Sequence, residues 1–472
     1  MVLSSLHFIF IFLPAAFFLY AVLPFSWWRN LILLSASMVF YAWGEPVHIL
    51  LLIGMILFNW LAGLLVHKLA SFEKKRASKL AAILSVIINL TPLLFFKLDA
   101  VTEISFIEKI GLGGLPSVDS FPLGLSFYTF SAVAYIIDVY QQEIQADGNI
   151  FRMANFLGMF PKILQGPITR YQDVGESLQL TRINIDGVSA GLRRFIVGLA
   201  KKVLIADYLA RVTGKVFGLE TTDLSAGLAW YGLAAFSLQL YLDFSGYTDM
   251  AIGLGRMFGF TLPENFNFPY MSRSVSDFWR RWHMSLVNWL RTYIFMPLEI
   301  ARRKSRHFRL QSNILIIFLL TGLWHGFAWN FIIWGLYSGI ILILEASFLS
   351  RWLKKIPVIF QHVYSLVLVA FGWVFFNLSD PGCWSGFFRA LFGFNRPEKA
   401  YSLRSLNILA FLPLLVVGAA VSTPFVKNAY LRLTEKSAVF QIIADVLLLG
   451  LLVLSVGVLL ASGYQAFLYS EF

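Results

Sequence analysis

Three stretches of the chain place ionisable side chains where lipid would be expected. In the first, Leu320-Thr321-Gly322-Leu323-Trp324-His325-Gly326, one imidazole stands between glycines inside a hydrophobic run from about residue 314 to 344. A histidine at membrane depth is costly unless it faces protein or a water-filled cavity, which makes it a candidate for chemistry. Gly322 and Gly326 form a G-x-x-x-G pair that lets another helix or a ligand approach the backbone. The alternative is a packing histidine on a glycine-rich helix face.

The second stretch is Ser276-Asp277-Phe278-Trp279-Arg280-Arg281-Trp282-His283-Met284-Ser285-Leu286. Helical spacing puts Trp279, His283, Leu286 and Leu290 on one stripe, Phe278, Trp282 and Trp289 on a second, and Arg281, Ser285 and Asn288 on a polar third. The expectation is one helix with a polar seam toward a cavity, N-capped by Ser276 or Asp277. His283 reads either as an active-site group or as an interfacial histidine.

The third is Tyr241-Leu242-Asp243-Phe244-Ser245-Gly246-Tyr247-Thr248-Asp249-Met250. On a helix Asp243 faces Tyr247, and Ser245 faces Asp249. Intramembrane carboxylates need partners or water. Arg256, Arg273, Arg280, Arg281 and Arg291 are the candidate partners, and such pairs could equally serve only to hold helices together. The other histidines, His7, His48, His67, His307 and His362, read as core, interface or loop residues.

The remaining motifs narrow the chemistry by exclusion. There is no G-x-S-x-G elbow, no Walker A or G-x-G-x-x-G loop and no H-E-x-x-H metal pattern. Cys383 is the only cysteine, so no disulfide, zinc or iron–sulfur framework can be built on cysteines. What survives is general-base catalysis by an imidazole, which can take a proton from a hydroxyl as that oxygen attacks an activated acyl group.

The elements that would position these groups are membrane helices. The chain is 58% hydrophobic and 14% charged with a mean hydropathy of +0.71, against about 25% charged in soluble domains. The net charge of +12 points to cytoplasmic loops and anionic lipid, and no nucleic-acid module accompanies it. Residues 1–25 have no basic leader and no small-residue cleavage site and read as a retained first helix.

Apolar runs give spans near 5–24, 29–43, 47–66, 80–97 and 121–140. A basic loop, residues 67–79, is assigned to the cytoplasm. That puts the N-terminus outside, together with an acidic loop carrying Asp99, Glu103, Glu108 and Asp119. The apolar stretch 156–164 is too short to span and reads as re-entrant or interfacial, ending in Pro161-Lys162-Ile163-Leu164-Gln165-Gly166-Pro167, which breaks any helix. Residues 188–210, with Arg193, Arg194, Lys201 and Lys202, suit an amphipathic or tilted helix with snorkelling ends. Further runs lie near 225–260, 276–298, 311–324, 327–347, 358–377, 405–424 and 438–462. In all, roughly ten to twelve crossings are expected of an all-α polytopic membrane protein. It reads as a single membrane-embedded domain, 1–472: N-terminal helices over 1–140, a core with the site over 141–347 and C-terminal helices over 348–472.

Taken together, Gln165-Gly166-Pro167, the run from Tyr241 through Thr248-Asp249-Met250-Ala251-Ile252-Gly253, Glu264-Asn265-Phe266, Phe278-Trp279-Arg280-Arg281-Trp282-His283 and Leu323-Trp324-His325-Gly326 resemble the membrane-bound O-acyltransferase (MBOAT) family. Within it they are most similar to the membrane subunit of bacterial alginate O-acetyltransferases. The resemblance implies a ring of helices around a central funnel and tunnel. His325 matches the family's catalytic histidine and His283 its second polar site position, with Asp243, Asp249, Arg281, Asn288, Trp324 and Gln165 as supports. It implies no permanently bound cofactor and no metal. Acetyl-coenzyme A or an acyl carrier thioester would be the donor, approaching a basic loop of Arg302, Arg303, Lys304 and Arg306, whose charge positive-inside topology alone also explains. The expected partners are the bilayer, an extracytoplasmic acetyl-transferring protein, a polysaccharide acceptor (alginate-like, cellulose or peptidoglycan) and, for the carrier-thioester donor, an acyl carrier protein. The expected location is the bacterial cytoplasmic (inner) membrane. One departure is Glu299-Ile300-Ala301-Arg302-Arg303-Lys304, where alginate-type relatives carry a glycine-rich turn. The competing readings are D-alanyl transfer to teichoic acid and, from another class, a polysaccharide or lipid-precursor transporter or flippase, against which the absence of internal repeats counts.

Overall fold

The structure is a computed structural model that describes residues 1–102, 121–304, 308–397, 399, 401–463 and 467–468, and side chains only to residue 98 within the first segment. The expected acidic loop of Asp99, Glu103, Glu108 and Asp119, and Arg306 and His307 of the basic loop, lie outside the described residues and side chains. The described chain is helical, with no strand among its elements. It clusters into two compact units. One comprises Met1–Gly198, Tyr247–Glu264 and Leu459–Phe472, the other Leu199–Gly246 and Asn265–Val458.

Five described helices are long and apolar enough to cross a bilayer: Ile49–Ser71, Lys75–Leu98, Trp329–Leu353, Val358–Asn377 and Ala438–Ser462. A sixth is present if Leu409–Val421 and Pro424–Lys436, bent by 67°, form one span. Other apolar runs expected as spans fold as shorter helices, among them Phe8–Val22 and Leu125–Tyr140, below the ~20 residues that reach across the hydrocarbon unaided.

In the first unit, Ile49–Ser71 and Lys75–Thr102 form a hairpin joined by residues 72–74. The basic stretch expected as a loop over 67–79 is therefore mostly helix end, because its Lys, Arg, Ala and Leu residues are good helix formers. Asn59 and Asn89 exchange amide hydrogen bonds of 2.7 and 2.8 Å across this hairpin, a polar tie suited to an apolar surround. Leu125–Tyr140 is buried on nearly every side, so it is an inner helix of its unit rather than a lipid-facing one. Gly124 at its start has φ 77°, and a Cβ there would meet the Ile163 carbonyl oxygen at 2.1 Å, so only glycine fits.

The stretch read as re-entrant or interfacial is inside this unit. Helix Ile150–Gly158, capped by the Asn149 side chain, runs into the wholly buried turn 159–166. Asp147 anchors the entry. It accepts from Arg152 at 2.6 and 2.7 Å, from Asn149 N–H at 2.8 Å and from the Tyr171 hydroxyl, while its own N–H donates to Tyr135. Near the far end of the chain Phe467, 2% exposed, stands edge-on to Tyr247 at 5.1 Å.

The second unit is built around aromatic side chains. Helices Arg309–His325 and Trp329–Leu344 form a tight hairpin, against which Val358–Asn377 packs. Trp282 and Trp334 both contact Trp373, at 5.1 and 6.4 Å between ring centroids.

Candidate active site

His325 is the last residue of helix Arg309–His325. Gly326 ends the helix in an extended conformation, its N–H still donating to Gly322 O at 3.1 Å. The chain then reverses into Trp329–Leu344, and the two backbones touch. A Cβ on Gly322 would fall 2.4 Å from Phe331 O, and one on Gly335 the same distance from Phe318 O. The close approach expected at Gly322 is thus present, with Gly335 as its counterpart. The His325 ring, 5% exposed, is boxed by aromatic faces. Trp324 lies at 4.5 Å, Phe376 and Trp334 stand edge-on at 5.0 and 5.1 Å, and Phe331 stacks at 5.8 Å. Asn330 holds Phe376 by donating to its carbonyl at 3.3 Å.

His283 is held quite differently. The tryptophan-rich run is not the single helix its periodicity suggests. It consists of Val275–Trp279, a break, and Met284–Leu290, continued by a wide turn into Met296–Ala301. His283 sits at the break with φ 45° and ψ 51°, a conformation uncommon outside glycine. Tertiary hydrogen bonds impose it: Met284 N–H donates to Asn265 O at 2.9 Å, and Asn267 N–H donates to Arg281 O at 3.0 Å. The stripes linking Trp279 to His283 and Arg281 to Ser285 therefore do not form. The cap is Ser274, which accepts from Asp277 N–H, and not Ser276 or Asp277. Ahead of it the buried Glu345 carboxylate accepts from Val275 N–H and Ser276 N–H, both at 2.8 Å, and from the Ser276 hydroxyl at 2.6 Å.

Asn265 fixes the tautomer of His283. Its Oδ1 accepts from Ser285 N–H and Ser285 Oγ at 3.2 and 2.9 Å, so the atom facing His283 Nδ1 at 3.1 Å is an acceptor. Nδ1 must then carry the proton, which leaves the lone pair on Nε2. The ring is 3% exposed, with Phe244 edge-on at 4.8 Å and Trp324 at 6.3 Å. One indole, Trp324, therefore contacts both imidazoles.

The expected supports divide. Asp243 lies in the same unit as the histidines, but its partner is Lys202, at 2.7 Å, and none of the five candidate arginines. Arg281 pairs with Asp277 at 3.1 Å, and Asn288 is exposed. Asp249 and Gln165 belong to the other unit. There Asp249 pairs with Arg194 at 2.8 Å, which also holds Glu264 at 2.5 Å, and Gln165 is buried in the turn 159–166, 4% exposed. Lys202 and Arg194, read as snorkelling charges, are ion-pair partners instead. The basic loop is partly self-satisfied: Arg302 donates to Asn313 at 2.5 Å and Arg309 pairs with Glu299 at 2.9 Å, while Arg303 and Lys304 stay exposed. Sequence reading missed Lys202, Asn265 and Glu345. The signal for Glu345 was a lone charge in an apolar run, for Lys202 its place in the basic, apolar stretch 188–210, and for Asn265 its place in the Glu264-Asn265-Phe266 motif.

A profile of the membrane-bound O-acyltransferase family, MBOAT, matches residues 127–380, a span that contains both histidines. The chain belongs to the membrane-bound O-acyltransferase family. It is 38% identical to a probable alginate O-acetylase, AlgI, of Pseudomonas aeruginosa over 89% of this chain and 79% of the relative. With the probable alginate O-acetylase AlgI of Pseudomonas putida it shares 36% identity over the whole of both chains. With the peptidoglycan O-acetyltransferase of Helicobacter pylori it shares 34%, over 79% of this chain and 76% of the relative. The protein is thus a multi-pass membrane O-acyltransferase. In such an enzyme two buried imidazoles that share one indole neighbour can divide the work between taking a proton and orienting a reactant.

Proposed function

We propose that this acyltransferase moves an acetyl group from a cytoplasmic thioester, acetyl-coenzyme A or an acyl carrier, toward O-acetylation of an extracytoplasmic polysaccharide at the bacterial inner membrane. The N-terminus faces outward, and a separate extracytoplasmic protein delivers the group to the polymer. His325 is the general base. It takes the proton of an attacking hydroxyl as that oxygen bonds to the thioester carbonyl carbon. The carbon–sulfur bond breaks, and the imidazolium returns the proton to the departing thiolate. His283, with its proton on Nδ1, orients the acceptor by accepting a hydrogen bond from its hydroxyl at Nε2. Trp324 keeps the two rings in register. Arg303 and Lys304 attract the donor phosphates by charge.

The observation that carries this reading is the pair of buried imidazoles touching one indole, Trp324. Relatives named as alginate O-acetylases and a peptidoglycan O-acetyltransferase support the choice of acetyl and of a polymer acceptor. The test is acyl transfer in membranes from radiolabelled acetyl-coenzyme A, with an acetyl and a D-alanyl carrier thioester as parallel donors. His325→Ala should lower transfer by about 10²–10⁴-fold at normal membrane abundance. Normal acetylation by that variant, or turnover of the D-alanyl donor alone, would overturn the proposal.

A further inference from the structure

Lys202 lies within the second unit on the wide turn Lys201–Ala206, where the helix carries an extra residue per turn. Such turns are rare and concentrate at functional sites. Its side chain is 2% exposed, and its ammonium lies 2.7 Å from Asp207 Oδ1 and 2.7 Å from Asp243 Oδ1. A buried three-charge cluster is a poor way to gain stability, since apolar packing of similar volume often does as well. Its effect here is to fix geometry. Asp243 sits on the helix turn that carries the His283 segment. The next residue, Phe244, stands edge-on to His283 and at 5.2 Å from Phe266. Tyr241, two residues before Asp243, contacts Phe266 at 5.6 Å and Trp282 at 6.2 Å. The ammonium therefore sets the rotation and height of the turn against which the His283 ring is seated.

We propose that Lys202, Asp207 and Asp243 act together as a positioning device for His283, with Lys202 as the positioning residue. The proposal rests on the reading of His283 as the group that orients the acceptor hydroxyl. The cluster acts on the reaction only through His283. Its loss displaces His283 through Phe244 and Tyr241, and a displacement of about 1 Å can cost about 100-fold in rate.

The test is a double-mutant cycle on the full chain in membranes, reading kcat and donor KM with radiolabelled acetyl-coenzyme A. Lys202→Met should lower kcat about 10- to 100-fold and change donor KM much less, and Lys202→Arg should recover part of the loss. Combined with His283→Asn, Lys202→Met should cause little further loss, because both substitutions disable the same group. If Lys202→Met does not accumulate, the neutral triple variant K202M/D207N/D243N takes its place in the cycle with the same expectation. Additive losses, or an unchanged kcat, would overturn the proposal and leave the reading of His283 standing. An unchanged kcat in His283→Asn alone would overturn that reading, and this one with it.

Discussion

The two histidine segments solve one problem by opposite means. His325 ends a regular helix, and what fixes it is shape: glycine backbones in contact at Gly322 and Gly335 and four aromatic rings around the imidazole. His283 interrupts a helix, and what fixes it is directed hydrogen bonding from Asn265 and, upstream, from Glu345 and Ser274. A packed ring can keep its place while its surroundings lose a hydrogen bond. A residue held in a left-handed conformation cannot, because its backbone favours other regions once released.

The contrast can be broken at its weaker side first. Asn265→Ala removes the one acceptor shared by His283 Nδ1, Ser285 N–H and Ser285 Oγ. The expected outcome is a fall in kcat of about 100-fold or more with abundance in membranes retained, and Asn265→Asp should keep more activity than Ala because it keeps an acceptor. Glu345→Gln weakens three hydrogen bonds that fix the start of the His283 segment. A thermal-unfolding measurement in detergent should show a loss of about 1.5–3 kcal/mol, with reduced kcat. Gly335→Ala tests the other side. A methyl group 2.4 Å from Phe318 O forces the hairpin apart and should lower stability by about 1–3 kcal/mol, and kcat should recover on cooling if packing alone is at fault.

The smallest effect is a control outside both segments. Burial alone would push the Asp147 carboxyl up, but its hydrogen bonds from Arg152, Tyr171 and Asn149 outweigh this and hold it below the usual carboxylate range. A carboxyl held low in the folded state adds stability above its unfolded pKa and loses it as pH falls through the folded value. Wild type should therefore melt higher than Asp147→Asn at neutral pH. The gap should close on acidification below about pH 4, with no selective change in kcat.

The same contrast explains what the sequence disclosed. Trp324-His325-Gly326 was legible because a helix end, a glycine stop and an apolar run are all local features. The identity of His283 was legible but its setting was not. The tryptophan spacing is helical, and the break comes from Asn265 and Asn267, which lie in a different stretch of chain. The aspartates were legible as ionisable groups needing partners. The candidate arginines all followed them in sequence, whereas the true partners precede them, Lys202 by 41 residues and Arg194 by 55. No helical period reveals a pairing over that distance. The inner placement of Leu125–Tyr140 was hidden for a related reason, since a helix apolar on all sides looks the same from sequence whether lipid or protein surrounds it.

Phe467 against Tyr247 has a consequence for biosynthesis. The first unit draws its last segment, Leu459–Phe472, from the far end of the chain. Most of that unit emerges from the ribosome early, yet it cannot gain this contact until almost half the chain has followed. At ~5–20 residues per second the wait is on the order of ten seconds or more. During that time the Tyr247 ring lacks its Phe467 neighbour, so nascent chains stalled before residue 467 should be preferred clients of membrane quality control.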